Sequence, residues 1–362
     1  METFGKVGSS LKHHLNKGIE MELLKRLTES YGGSGYEDEV RDLVIGELTT
    51  ICDTVTTDTL GSVIGFKKGK GKDGQRKKIM IAGHMDEIGF RVSHISDKGY
   101  LRISPAGGFD PRTMIAQRVQ VLGKGKHKLI GVLNVAGKPI HVQSPEERRK
   151  TLEVSDFFVD LGMKGAEVKK KVDIGDPVIW ARDFAEFGDS VTCKAMDNRI
   201  GCYVMIEAVR KMANNRHDIY AVGTVQEEVG VRGAQTAAYT IEPDIAIALD
   251  VTLAVDVPGA EDHLHITKLG NGVAIKIMDS LSISDTGLVK DFRALADKKK
   301  IPYQLEILPR GGTDAGGMQR VKGGSKAITL SIPLRYVHST IETANKKDIE
   351  SAVKLLASYL SQ

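Results

Sequence analysis

The chain has 362 residues, 41% of them hydrophobic and 27% charged; at about one domain per 100–200 residues this length suggests two domains, and the balance excludes a disordered or fibrous protein. Its formal charge of +4 is small, and the basic residues concentrate in "KKGKGKDGQRKK" (Lys67 to Lys78) and "KGKHK" (Lys124 to Lys128). Both runs contain glycine, sit between strand-like segments and lack interleaved aromatics for base stacking, so they read as solvated hairpin loops and nucleic acid is not an expected partner.

The opening "METFGKVGSSLKHHLNKG" lacks the apolar centre of a signal peptide, and no apolar run approaches the ~20 residues needed to cross a bilayer. Three cysteines, Cys52, Cys193 and Cys202, have neither disulfide-framework nor metal-type spacing. A cytoplasmic protein without a membrane partner is the expectation. Two amphipathic helices follow, "IEMELLKRLTES" and "YEDEVRDLVIGELTTI", separated by a break at Tyr31 to Gly35. "SVIGF" and "KIMIAG" then read as strands, the second apolar enough to be buried on both faces.

From about Ile88 to Arg182 the runs "FRVSHI", "YLRIS", "QRVQVL", "LIGVLNV" and "DPVIWA" come with Gly and Pro turns and little helical periodicity. Alternation then returns: helix "DNRIGCYVMIEAVRKM", strand "IYAVGTVQ", a helix around Ala234 to Tyr239, strand "IAIALD", helix "GLVKDFRALADKKK", strands "YQLEIL" and "AITLSI", and helix "KKDIESAVKLLASYL". In the last, Ile349, Val353, Leu356 and Leu360 share one face. This pattern predicts an α/β protein, a mixed sheet layered between helices, interrupted by a β-rich insertion over 88–185; residues 19–87 and 186–362 would form the other domain.

Polar residues gather where apolar strands stop. "IMIAGHMD" ends in His84 and Asp86, "IYAVGTVQEE" in Glu227 and Glu228, "IAIALD" in Asp250, and "ITLSIPLRYVH" runs on to His338; Asp197 opens a helix. Ligands of open α/β sheets bind outside the carboxyl ends of the strands, so these terminations can converge on one site. Singly, each has an ordinary explanation: Asp197 a helix cap worth about 1 kcal/mol, Glu227 and Glu228 a solvated loop, Asp250 a turn, His338 a surface histidine. Together they form a set of imidazoles and carboxylates without thiolate, which suits zinc, cobalt or manganese. A bridging carboxylate would let such a set hold two ions. In an extended segment His84 and Asp86 share a face, so Asp86 can orient the imidazole, whereas adjacent Glu227 and Glu228 diverge, leaving one free as a general base.

The ordered set "GHMDEIGF", "KAMDNRIGC", "TVQEEVGVRGA", "ALDVT", "GGTDAG" and "VHSTIE" resembles the dinuclear metallo-aminopeptidases of the tetrahedral (TET), or glutamyl/deblocking, aminopeptidase family, from roughly Ile19 onward. The first 18 residues and Gly33, where an aliphatic residue is expected, depart from it. The resemblance implies two divalent ions per chain, one on His84, Asp197 and Asp250 and the other on Asp197, Glu228 and His338, with Asp197 bridging. It implies Glu227 as the general base, Asp86 as the support of His84, and substrate contact by the loop carrying Gly312, Thr313 and Asp314, for which a turn with a helix cap at Asp314 is the plain alternative. It also implies peptide substrates with a free N-terminus, a β-type dimerisation insertion, and a homo-oligomer in which dimers build a tetrahedral dodecamer. Two other readings stand beside it: an endoglucanase-like glycan hydrolase, which needs two carboxyls facing across a bond, and a non-enzymatic scaffold whose β insertion binds partners.

Overall fold

A computed structural model describes residues 21–362. The expected first helix begins at Ile19; its first two residues and the 18 before them lie outside the described part, and 21–29 are helical. The second helix is Asp38–Thr49, with Val40, Val44 and Leu48 buried.

An 11-stranded mixed sheet carries the site. Its main path runs Thr54–Thr57, Val63–Lys67, Asp218–Thr224, Lys78–His84, Ile245–Leu253, Lys326–Arg335, Glu342–Asn345, Ser190–Cys193 and Ala185–Phe187, with Val273–Met278 and Tyr303–Ile307 branching from Lys326–Arg335. The four central strands, Asp218–Thr224 to Lys326–Arg335, are parallel. Alternate residues of Lys78–His84 serve opposite cores. Ile79 and Ile81 pack with helices Met196–Lys211 and Lys346–Leu360, while Met80 and Ala82 pack with Arg232–Ile241 and Asp314–Gln319. That is why the strand reads as one unbroken apolar run. The stripe Ile349, Val353, Leu356, Leu360 faces the first core as expected.

The β-rich stretch closes on itself. Gly89–Ile95, Leu101–Ala106, Phe157–Asp160, Lys128–Val135, Gln117–Leu122 and Pro177–Trp180 form a closed barrel in that order, filled around Phe90, Leu133, Val159 and Trp180. Phe90 stands edge-on to Trp180, 5.3 Å between ring centres. Closure leaves the barrel no unpaired strand edge.

Some elements differ from the expectation. Phe157–Asp160 and the helix Gly165–Lys171 sit inside the β-rich stretch; the helix buries only Gly165 and Val168, too little to leave a periodic signal. Val273–Met278 is a strand whose apolar run is interrupted by Lys276, here fully buried against Glu306 and Asp279. The basic segment Lys67 to Lys78 is not a hairpin loop. The strands it joins are separated by Asp218–Thr224, so it crosses over that strand, pinned by Gly69 N–H to Asp218 at 2.8 Å and Lys70 N–H to the Asn215 carbonyl. Lys124 to Lys128 does lie in a hairpin, with Leu122 paired to Lys128.

Candidate active site

Parallel strands point their carboxyl ends the same way, and the site is built at that edge. His84 closes Lys78–His84 level with Thr224, and Asp250 lies two residues past Ala248, the last residue paired with that strand on its other side. Glu227 and Glu228 follow Asp218–Thr224, and His338 follows Lys326–Arg335. Asp197 enters from the start of helix Met196–Lys211. It does not cap that helix: the N-cap position is Ala195, and the backbone of Asp197 is itself non-helical. Its side chain is turned to the site.

Asp197 lies between the two imidazoles. Its Oδ1 is 3.2 Å from His84 Nε2 and its Oδ2 3.4 Å from His338 Nε2, which is also 3.4 Å from Glu228 Oε2. Glu227 Oε2 and Asp250 Oδ1 each lie 3.8 Å from His84 Nε2. The adjacent glutamates thus reach different histidines. Ligand atoms of His84, Asp197 and Glu228 all fall within 4.8 Å of one another. The other oxygen of Glu228, Oε1, is buried without a hydrogen-bond partner.

His84 Nδ1 lies 3.1 Å from the Asp86 backbone carbonyl and 3.5 Å from its Oδ1. A carbonyl only accepts, so Nδ1 carries a proton and Nε2 is the nitrogen turned to Asp197. The Asp86 carboxylate mainly holds backbone: Oδ1 accepts from Glu227 N–H at 2.9 Å, and Oδ2 from Glu228 N–H at 3.2 Å and the Ser34 hydroxyl at 2.6 Å. Glu342 does the same opposite, Oε2 accepting from Asp197 N–H at 3.0 Å and Oε1 from His338 N–H at 2.7 Å. Glu37 adds a bond from Gln226 N–H. Sequence pattern reveals none of Ser34, Glu37 or Glu342, although Glu342 ends the motif "VHSTIE".

Burial dominates the electrostatics. It pushes the carboxyls of Glu227 and Asp250 well above the usual range, and that of Glu228 upward, as neighbouring acids add and the imidazoles oppose. Burial acts against charge on His338, but Glu228 and Asp197 outweigh it and push the imidazole up to about 12. The carboxyls of Asp86, Asp197, Glu227, Glu228 and Asp250 crowd around two imidazoles, and burial makes it costly to charge all of them without a cation. With an unpartnered buried oxygen on Glu228, the donor set fits divalent cations with oxygen and imidazole preferences.

His84, Asp197, Glu227, Glu228, Asp250 and His338, but not Asp86, line a cavity of about 420 Å³, whose other walls include Val231, Leu253, Leu281, Leu308, Arg310 and Gly312. Gly312 is therefore in the cavity wall. Thr313 and Asp314 are buried behind it: Thr313 caps the helix Asp314–Gln319 and meets Thr329 at 2.9 Å, and Asp314 accepts the Thr224 hydroxyl at 2.5 Å.

The profile of the M42 glutamyl aminopeptidase family matches residues 61–355. A putative aminopeptidase of Acetivibrio thermocellus is 44% identical over 92% of this chain and 96% of its own. Among solved structures, an aminopeptidase from the archaeon Desulfurococcus kamchatkensis superposes with a TM-score of 0.90 at 41% identity, covering 95% of each chain. The Pyrococcus horikoshii TET1 peptidase, which can assemble into a tetrahedron or a large octahedral shell, superposes at 0.83 with 30% identity over 94% of this chain and 99% of its own.

Proposed function

Because the chain belongs to the M42 glutamyl aminopeptidase family, we propose that it removes amino acids from peptides with a free N-terminus at a dinuclear centre held by His84, Asp197, Asp250, Glu228 and His338. The observation that carries the proposal is the placing of Asp197 between both imidazoles, with Glu228 beside one and Glu227 beside the other. His84 and Asp250 would serve one ion, Glu228 and His338 the second, and Asp197 both. Zinc, cobalt or manganese suits these donors. When bound, two such ions supply Lewis-acid polarisation of the scissile carbonyl and acidify water.

The protein's own groups do the rest. Glu227, its backbone fixed by Asp86 and its carboxylate at the cavity, takes the proton of the attacking water and returns it to the departing amine. Gly312 lies in the cavity wall against Leu281, where the peptide would pass. A glycan hydrolase is the poorer fit, since Glu227 and Glu228 serve different histidines instead of facing each other across a bond.

By the same reading the barrel is the dimerisation insertion, residues 19–87 and 186–362 form the catalytic domain, and dimers assemble into a shell as the TET1 peptidase does.

The test is release of free amino acids from short peptides, each paired with an N-acetylated copy, before and after chelation and re-addition of cobalt or zinc. Cleavage of unblocked peptides, abolished by chelator and restored by metal, is expected. Absence of cleavage at full metal loading would overturn the proposal.

A further inference from the structure

Glu342 sits at the start of the strand Glu342–Asn345, paired with Cys193 at the end of Ser190–Cys193, four residues before Asp197. It is 2% exposed, and it has no Lys or Arg partner among the described residues. Instead its two oxygens take the backbone N–H groups of Asp197 and His338, which lie far apart in the chain. Both are ligands in the proposed site. His338 has a positive φ of 61°, as does Tyr336, a left-handed conformation that a non-glycine residue adopts at a cost and holds only when fastened. Nearby fastenings, from Ser339 Oγ to the Tyr336 carbonyl and from Ile341 N–H to Ser339 Oγ, stay inside the loop and do not reach Asp197. Glu342 alone among these groups ties the His338 loop to the Asp197 backbone.

We propose that Glu342 is the positioning residue for the second ion: one buried carboxylate sets the spacing of Asp197 and His338, and so decides whether that ion binds. The proposal rests on the assignment of Asp197, Glu228 and His338 to one ion. The first ion shares Asp197, but its other ligands are His84, fixed by the Asp86 carbonyl, and Asp250, whose Oδ1 accepts its neighbour's Val251 N–H, so it depends on Glu342 through one ligand where the second ion depends on it through two.

Glu342→Gln keeps the shape but turns an amide donor toward one of the two N–H groups, breaking the clamp on one side. Outer-shell substitutions of this kind change metal affinity by about 10–100-fold. The experiment is stepwise cobalt and zinc binding to apo wild type and apo E342Q, by competition with a chelating dye, alongside cobalt absorption spectra and thermal melting of both apo proteins. We expect wild type to take up two ions, and E342Q to bind the second at least tenfold more weakly while the first weakens less, with activity recovered in excess metal. If wild type binds fewer than two ions, the ligand assignment itself fails. If wild type binds two and E342Q either matches both affinities or weakens both equally, the positioning role fails. Should E342Q not fold, Glu342→Asp, which keeps the charge and withdraws it by one methylene, is read against the same two outcomes.

Discussion

Glu87 leaves no periodic trace in the sequence, yet it is among the most constrained side chains of the molecule. Lys194 Nζ donates to both its oxygens, at 2.8 and 3.0 Å, and the fully buried Arg199 adds a contact at 3.4 Å while also bonding the carbonyls of Leu27 and Gly32. Glu87→Gln would leave two cations buried beside a neutral amide. A loss of about 3–5 kcal/mol in unfolding free energy is expected by denaturant titration, and a loss below 1 kcal/mol would show that the cluster is not held by charge. Glu227→Gln behaves differently: it should leave metal content and melting temperature near wild type while lowering kcat by about 10²–10⁴, measured with a peptide substrate and metal analysis on the same sample. Ordinary turnover in that variant would remove Glu227 from its role. Asp197→Asn should reduce occupancy of both ions, because one oxygen faces each imidazole; full loading with two ions would contradict bridging.

At the scale of elements, the strand Lys78–His84 and the helix Met196–Lys211 approach backbone to backbone. A Cβ on Gly83 would stand 2.9 Å from the Gly201 carbonyl carbon and 3.0 Å from the Cys202 nitrogen, too close without moving one element. Gly83→Ala is therefore expected to cost about 1–3 kcal/mol and to weaken metal binding, since His84 and Asp197 lie on the two sides of that contact. Unchanged affinity would mean that the strand relaxes without carrying His84 along. The strand-end residues were legible because hydrophobic periodicity marks where a strand stops, and the side chains beyond it must be explained. Glu342, Ser34 and Glu37 were not legible, because a carboxylate that holds backbone amides obeys no period. The crossover at Lys67 to Lys78 escapes local pattern for a related reason: composition says that a loop is solvated, while Asp218–Thr224, the strand that separates its flanks, lies far downstream in the chain.

For the whole molecule, metal binding and folding are linked. Ions that bind only the folded chain stabilise it by about 2.7 kcal/mol when present at a hundred times Kd, so chelation should lower the melting temperature and re-addition of cobalt or zinc should restore it. Indifference to chelator would argue that the carboxylate cluster is stable on its own. No helix of the described residues is long and apolar enough to cross a membrane. The barrel's place in the chain has a consequence for synthesis. His84 emerges before it and Asp197 after it, and the contact that rejoins them, Glu87 to Lys194, spans 107 positions. Closing so long a loop around an unfolded insert carries an entropic cost that a folded barrel, with its ends already brought near each other, largely removes. The hydrolytic centre is therefore a late product of folding. A nascent chain, itself a peptide, would on this reading meet no complete centre until the insertion had folded and His338 had followed.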